Sequence, residues 1–173
     1  MSTFSRFAQT PNFNFLALFL SIILISGCVS VTPVGPSVKS FQNQKGQLPW
    51  PAQGEIIEPF GTVVNPVYGT KANNPGILIS TTGSATVSSV YEGVVVDVFA
   101  MPEFGNVVTI SHGDYTTVYG NLSEMYVTKG VRVREGEYIG QSGTESEPQG
   151  EALFFALFEN GVEANPELWL KRR

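Results

Sequence analysis

Along residues 103–123, EFGNVVTISHGDYTTVYGNLS, apolar and polar side chains alternate. Val108 and Ile110 fall between Val107, Thr109 and Ser111, and Thr117 and Tyr119 continue the two-residue period past His112-Gly113-Asp114. A period of two on both sides of a tight turn predicts a half-buried β-hairpin. Shorter strand-like stretches surround it. Residues 55–60 lie between Gly54 and Gly61, an apolar piece follows the Asn74-Pro75-Gly76 turn, and residues 83–87 and 93–99 are separated by Tyr91-Glu92-Gly93. Turn glycines alternate with strand pieces over 127–140, and the apolar run 153–158 is expected to close the sheet. The entry Leu48-Pro49-Trp50-Pro51 is expected to clamp Trp50 onto the core edge. No amphipathic helical pattern of useful length appears, so the architecture reads as mostly β.

The N-terminal pattern is different. Residues 1–27 contain no acid and one base, Arg6, with an apolar run over 15–26. That run is shorter than the ~20 residues a helix needs to cross a bilayer, and it fits a secretory signal segment. The stretch Leu24-Ile25-Ser26-Gly27-Cys28 resembles a bacterial lipobox ending at the only cysteine of the chain. An internal disulfide is impossible, which leaves thioether acylation, an intermolecular bridge or a free thiol. The resemblance implies lipidation at Cys28, and a multiply acylated terminus is a firm anchor. Val29 rather than aspartate as the next residue implies, under enteric-type sorting, the outer membrane with the domain facing the periplasm. Residues 28–47, rich in Pro, Ser and Gln, read as a flexible tether, which leaves 48–173 as the folded part.

Composition agrees with one modest domain rich in strands and turns: of 173 residues 42% are hydrophobic and 14% charged, with 18 Gly and 11 Pro. From Leu48 onward 7 bases face 15 acids, a balance of about −8. Such a surface argues against nucleic acid or an anionic lipid surface as ligand and leaves a basic partner or a neutral polymer open. Lys171-Arg172-Arg173 is too short to reverse this and reads as a solvated tail.

Six segments in order, LPWPAQGEIIEPFG, NNPGILI, GSATVSSVYEGVVVDV, FGNVVTISHGDYTTVYGNLS, KGVRVREGEYIGQSG and ENGVEANPELWL, resemble a lysostaphin-type (LytM-domain) zinc endopeptidase. The similarity covers nearly everything from Leu48 to Leu170 and is nearest to the branch of murein hydrolase activators, which open with the same LPWP-type entry. It implies an all-β fold, a two-sheet antiparallel sandwich or split barrel with a long groove. In active members it implies a zinc-dependent cut in peptidoglycan cross-bridges.

Zinc hydrolysis needs three protein ligands with nitrogen, oxygen or sulfur donors and an open position for water. The H-x-G-x-D pattern that supplies two ligands in active members matches Asn74-Pro75-Gly76-Ile77-Leu78, and the third ligand, the second histidine of H-x-H, matches Phe154. The two assisting histidines match Asn121, in Tyr119-Gly120-Asn121-Leu122, and Ala152. None of the five binds zinc well or shuttles a proton near neutral pH. The resemblance therefore implies a pseudo-enzyme with no metal and no cofactor.

His112 is the only histidine of the chain. The Ser-His-Gly-Asp turn offers two donors, short of a tetrahedral site, so a turn-stabilising or merely exposed role is expected. Glu145, Glu147 and Glu151 read as a solvated acidic loop broken by Pro148 and Gly150, and Arg132, Arg134, Glu135 and Glu137 as a charged hairpin edge. GVRVREGEYIG is also similar to biotinyl and lipoyl carrier domains, but Lys71, Lys129 and Lys171 lack the required hairpin-tip setting.

Replacing donors by Leu78, Ala152 and Phe154 is expected to give an apolar groove floor, with Asn74 and Asn121 as polar anchors, a combination suited to a peptide. For members with lost ligands the resemblance implies activators that engage a cell-wall amidase, so these five residues are expected to line a partner-binding groove. The alternatives are a peptidoglycan-binding or scaffolding lipoprotein and, less favoured, a zinc endopeptidase with other ligands.

Overall fold

The computed structural model describes residues 41–64, 69, 71–102 and 104–173. The expected signal segment, the Cys28 anchor and most of the tether lie outside these residues. Among the described residues, twelve strands follow in order: β1 (Ile56–Glu58), β2 (Gly61–Val64), β3 (Lys71–Asn74), β4 (Gly76–Ser80), β5 (Thr86–Ser88), β6 (Gly93–Met101), β7 (Gly105–Ser111), β8 (Tyr115–Met125), β9 (Arg132–Val133), β10 (Tyr138–Ser142), β11 (Ala152–Glu159) and β12 (Val162–Ala164). The fold is all-β, and every strand pair is antiparallel. The main sheet runs β1-β4-β11-β8-β7-β6-β9, with β10 joining β5 to β8 and β12 joining β11, while β2 and β3 form a separate two-stranded sheet.

The expected central hairpin is β7–β8. Its turn is fixed by the His112 N–H donating to the Tyr115 carbonyl at 2.8 Å, with Gly113 at φ 91°, a left-handed conformation that costs glycine nothing. The run over 153–158 behaves differently from the expectation. Instead of closing the sheet, β11 lies inside it, between β4 and β8. Its first seven residues are buried, as a continuous apolar run must be when both faces of a strand are covered. Leu153, Phe155 and Leu157 point to the main core beside Ile77, Ile79, Tyr119 and Leu122. Ala152, Phe154 and Ala156 alternate with them and fall on the opposite face.

The packed domain begins earlier than Leu48. Phe41 is fully buried, stacked at 4.6 Å on Tyr115 and 4.9 Å on His112 and edge-on to Tyr91 at 5.3 Å. Trp169 is the fourth ring around it, at 5.4 Å; a side chain buried among four rings is core, so the tether reading fails from Phe41 onward. Further ties join the two ends of the domain. Leu48 bridges Leu170, and the Trp50 indole N–H donates to the Lys171 carbonyl at 2.8 Å. The Arg173 guanidinium lies 3.8 Å over the Trp50 ring and donates to the Ala52 and Gly54 carbonyls. Trp50 does pack on the core edge, and Arg173, exposed like Lys171 and Arg172 as expected of the tail, is held against its ring.

His112 is not exposed. Its Nδ1 lies 2.7 Å from the Glu92 carbonyl and its Nε2 2.8 Å from the Thr117 hydroxyl, so the neutral ring donates from Nδ1 and accepts at Nε2. Burial outweighs the carbonyl contact and holds its pKa down at about 4. The turn-stabilising role stands, carried out from inside the core.

Candidate functional site

The matched positions converge because of strand order. With β4, β11 and β8 side by side, Phe154 is the Cα partner of Leu78 on one flank and of Gly120 on the other. Asn121 follows Gly120, Ala152 precedes Phe154 by one period of the strand, and Asn74 ends β3 just before β4. Four of the five are buried, Leu78 at 5%, Asn121 at 0%, Ala152 at 1% and Phe154 at 4% exposure. Asn74 is half-buried, its amide oxygen accepting from the Gly76 N–H at 3.2 Å and its amide N–H donating to the Pro59 carbonyl at 3.1 Å.

The Phe154 ring fills the centre of this arrangement. A Cβ on Gly120 would stand 3.2 Å from its Cδ1, and one on Gly76 would stand 2.9 Å from its Cζ. Two glycines, one on each neighbouring strand, thus make the bed on which the ring lies. Phe104, in the turn before β7, covers it with ring centroids 4.9 Å apart. Nothing in the sequence marked Phe104, because its contact with Phe154 joins distant parts of the chain.

Asn121 does something no histidine would do there. Its amide N–H groups donate to the Gly150 and Ala152 carbonyls at 2.9 and 2.8 Å, and its amide oxygen accepts from the Gln149 N–H at 3.1 Å. Its own backbone N–H donates to the Phe104 carbonyl. The residue sits at φ 58°, a conformation that asparagine tolerates better than most side chains. Gly143 makes room, since a Cβ there would stand 2.2 Å from the Asn121 Nδ2. The Asn121 side chain therefore ties the 144–151 loop and the start of β11 to β8, and its backbone N–H ties the Phe104 turn. That loop, expected as a solvated acidic one, is fastened to the sheet, and Glu147 and Pro148 approach Gly105 across the same spot.

Zinc does not fit this donor set. Leu78 and Phe154 have no lone pair, both ends of the Asn74 amide are engaged, and a phenyl ring occupies the space between the matched positions. Among the described residues, no group of three or more His, Cys, Asp or Glu is placed to hold a metal ion. What the arrangement offers instead is an apolar plug under an aromatic cover, with the half-buried Asn74 amide at its rim.

Residues 72–166, a span containing all five matched positions, fit the family profile described as Peptidase family M23. The chain belongs to peptidase family M23. The chain is 30% identical over 150 residues to the murein hydrolase activator NlpD of Salmonella typhimurium, covering 84% of this chain and 37% of that protein. It is 34% identical over 110 residues to the cell division protein DipM of Caulobacter vibrioides, covering 61% of this chain and 17% of that protein. The crystal structure of a zinc containing peptidase from Vibrio cholerae superposes with a TM-score of 0.63 at 26% identity, over 71% of this chain and 40% of that one. The chain thus spans less than half the length of each of these M23 relatives.

Proposed function

We propose that this chain is a non-catalytic envelope lipoprotein, anchored at Cys28 in the outer membrane and facing the periplasm, whose M23 domain binds and activates a peptidoglycan amidase. The observation that carries the reading is the replacement of all five zinc and proton-transfer positions, four of them by buried side chains. An M23 fold with a plugged centre is left with recognition. The likeness to an activator supports the same direction. Leu78, Asn121, Ala152 and Phe154 form the packed floor of the partner-binding groove, and Asn74 with Phe104 forms the rim that meets a peptide segment of the amidase. To raise the active population about a hundredfold, the chain must bind the open amidase about 3 kcal/mol more tightly than the closed one.

The test is dye release from labelled peptidoglycan by a purified amidase of the same cell, with and without the full chain. Activation is expected, with loss in Asn74→Ala and Phe104→Ala at unchanged circular dichroism, and in Phe154→Asp. Undiminished activation by all three variants would remove the groove from the mechanism. Binding to amidase-free sacculi with no activation would favour the scaffolding alternative.

A further inference from the structure

The two ends of the packed domain form one layer over the core. Phe41, Leu48, Trp169 and Leu170 are buried in the same cluster as Leu153, Phe155 and Leu157 of β11, and Trp50 packs against it. Backbone bonds zip the layer together: the Leu48 N–H donates to the Trp169 carbonyl at 3.0 Å, and the Lys171 N–H donates to the Leu48 carbonyl at 2.9 Å. Ala152 and Phe154 lie on the other face of β11. Residues 41–52 and 165–173 therefore cover the side of the sheet turned away from the plugged centre.

Charge is divided between this layer and the rest of the domain. Residues 41–52 hold Lys45 and no acid, and residues 165–173 hold Lys171, Arg172 and Arg173 against Glu167, so the layer carries four bases and one acid, or +3. Residues 53–164 hold four bases, Lys71, Lys129, Arg132 and Arg134, against 14 acids, or −10. The acidic balance that argued against an anionic lipid surface thus belongs to the other part of the domain. All four bases of the layer are exposed. Among the described residues none of them pairs with a carboxylate, the one ion pair being Lys129 with Asp97 at 3.8 Å. Lys45 instead lies 5.5 Å over the Trp169 ring, inside the layer itself.

The length of chain before the layer selects what it meets. Cys28 stands 13 residues before Phe41, and that many extended residues span at most about 45 Å. An anchor at Cys28 keeps the membrane surface within this distance of the layer, at an effective concentration where a weak attraction suffices. Phosphate-bearing headgroups attract the basic layer and repel the acidic remainder, so one orientation is favoured. We propose that residues 41–52 and 165–173 form a basic foot that docks on anionic lipid headgroups, so that the domain stands with its back to the membrane and its Phe154 centre faces away. The proposal rests on the Cys28-anchored reading above.

The test reconstitutes the full chain into vesicles carrying a dansyl-labelled lipid, made of phosphatidylcholine alone or with about one-third phosphatidylglycerol. Trp50 and Trp169 are the two tryptophans of the chain and both lie in the layer, so energy transfer from tryptophan reports its approach to the headgroups. Transfer is expected to be higher in the anionic vesicles and to fall to the neutral level in ~0.5 M salt. Lys171→Glu with Arg172→Glu should abolish the rise and, both residues being exposed, melt with the parent. Arg132→Glu with Arg134→Glu changes the net charge equally outside the layer and should keep the rise. Equal transfer in the two kinds of vesicle would overturn the proposal, as would a rise kept by the first double variant or lost in both. Mass measurement of the Cys28 peptide checks the anchor separately. If Cys28 proves unacylated the anchored reading fails, and the foot is still read, as sedimentation of the chain with anionic but not neutral vesicles.

Discussion

At the scale of single residues, the decisive change is what took the place of each lost donor. Asn121 satisfies two polar groups of the 144–151 loop and one at the start of β11 from a left-handed backbone conformation. Asn121→Ala should therefore cost about 2–4 kcal/mol in denaturant unfolding, from broken buried hydrogen bonds and from the φ penalty together. Limited proteolysis should then cut the 144–151 loop. Asn121→Gly separates the two causes, since it relieves the backbone and still loses the bonds. His112 gives a second prediction. Its folded pKa of about 4 lies below the ordinary 6.5, so the unfolded chain binds the extra proton between those values. Its contribution is complete above about pH 6.5 and is lost as pH falls toward 4, by about 3 kcal/mol in all. Urea unfolding against pH should show that slope in the parent chain, and His112→Gln should lack it. The absence of donors at 74, 78 and 154 was legible in the sequence. The clasp made by Asn121 was not, because a backbone φ and three partners distant in the chain leave no local pattern.

At the scale of elements, alternation found the β7–β8 hairpin because Thr109, Ser111 and Thr117 break its apolar runs, although both strands are buried over most of their length. It misplaced β11, since a run buried on both faces carries no period that reports its neighbours. Strand order is the property that puts Phe154 beside Leu78 and Gly120, so the plug was invisible before the sheet was assembled. Phe41 illustrates a different failure. It stands alone in a polar stretch, and one aromatic residue without a period looks like tether until its rings are found. Phe41→Ala should cost about 3–5 kcal/mol by equilibrium denaturation, whereas a tether residue would cost close to nothing.

At the scale of the whole molecule, a fold was kept while its centre was refilled. The six segments that resembled the M23 pattern all lie in or next to the sheet, which is why the architecture was readable from them. The refilling is cooperative: Gly76 and Gly120 give the ring its bed, Phe104 its cover, and Asn121 holds the cover and the adjoining loop in place. Restoring a single donor would not reopen the space. The claim beneath all of this is that the M23 centre here is packed shut against zinc. The full chain, equilibrated with micromolar zinc, dialysed against metal-free buffer and assayed for metal content, should retain far less than one zinc per chain. One zinc retained per chain, and released by Asn74→Ala, would contradict the account.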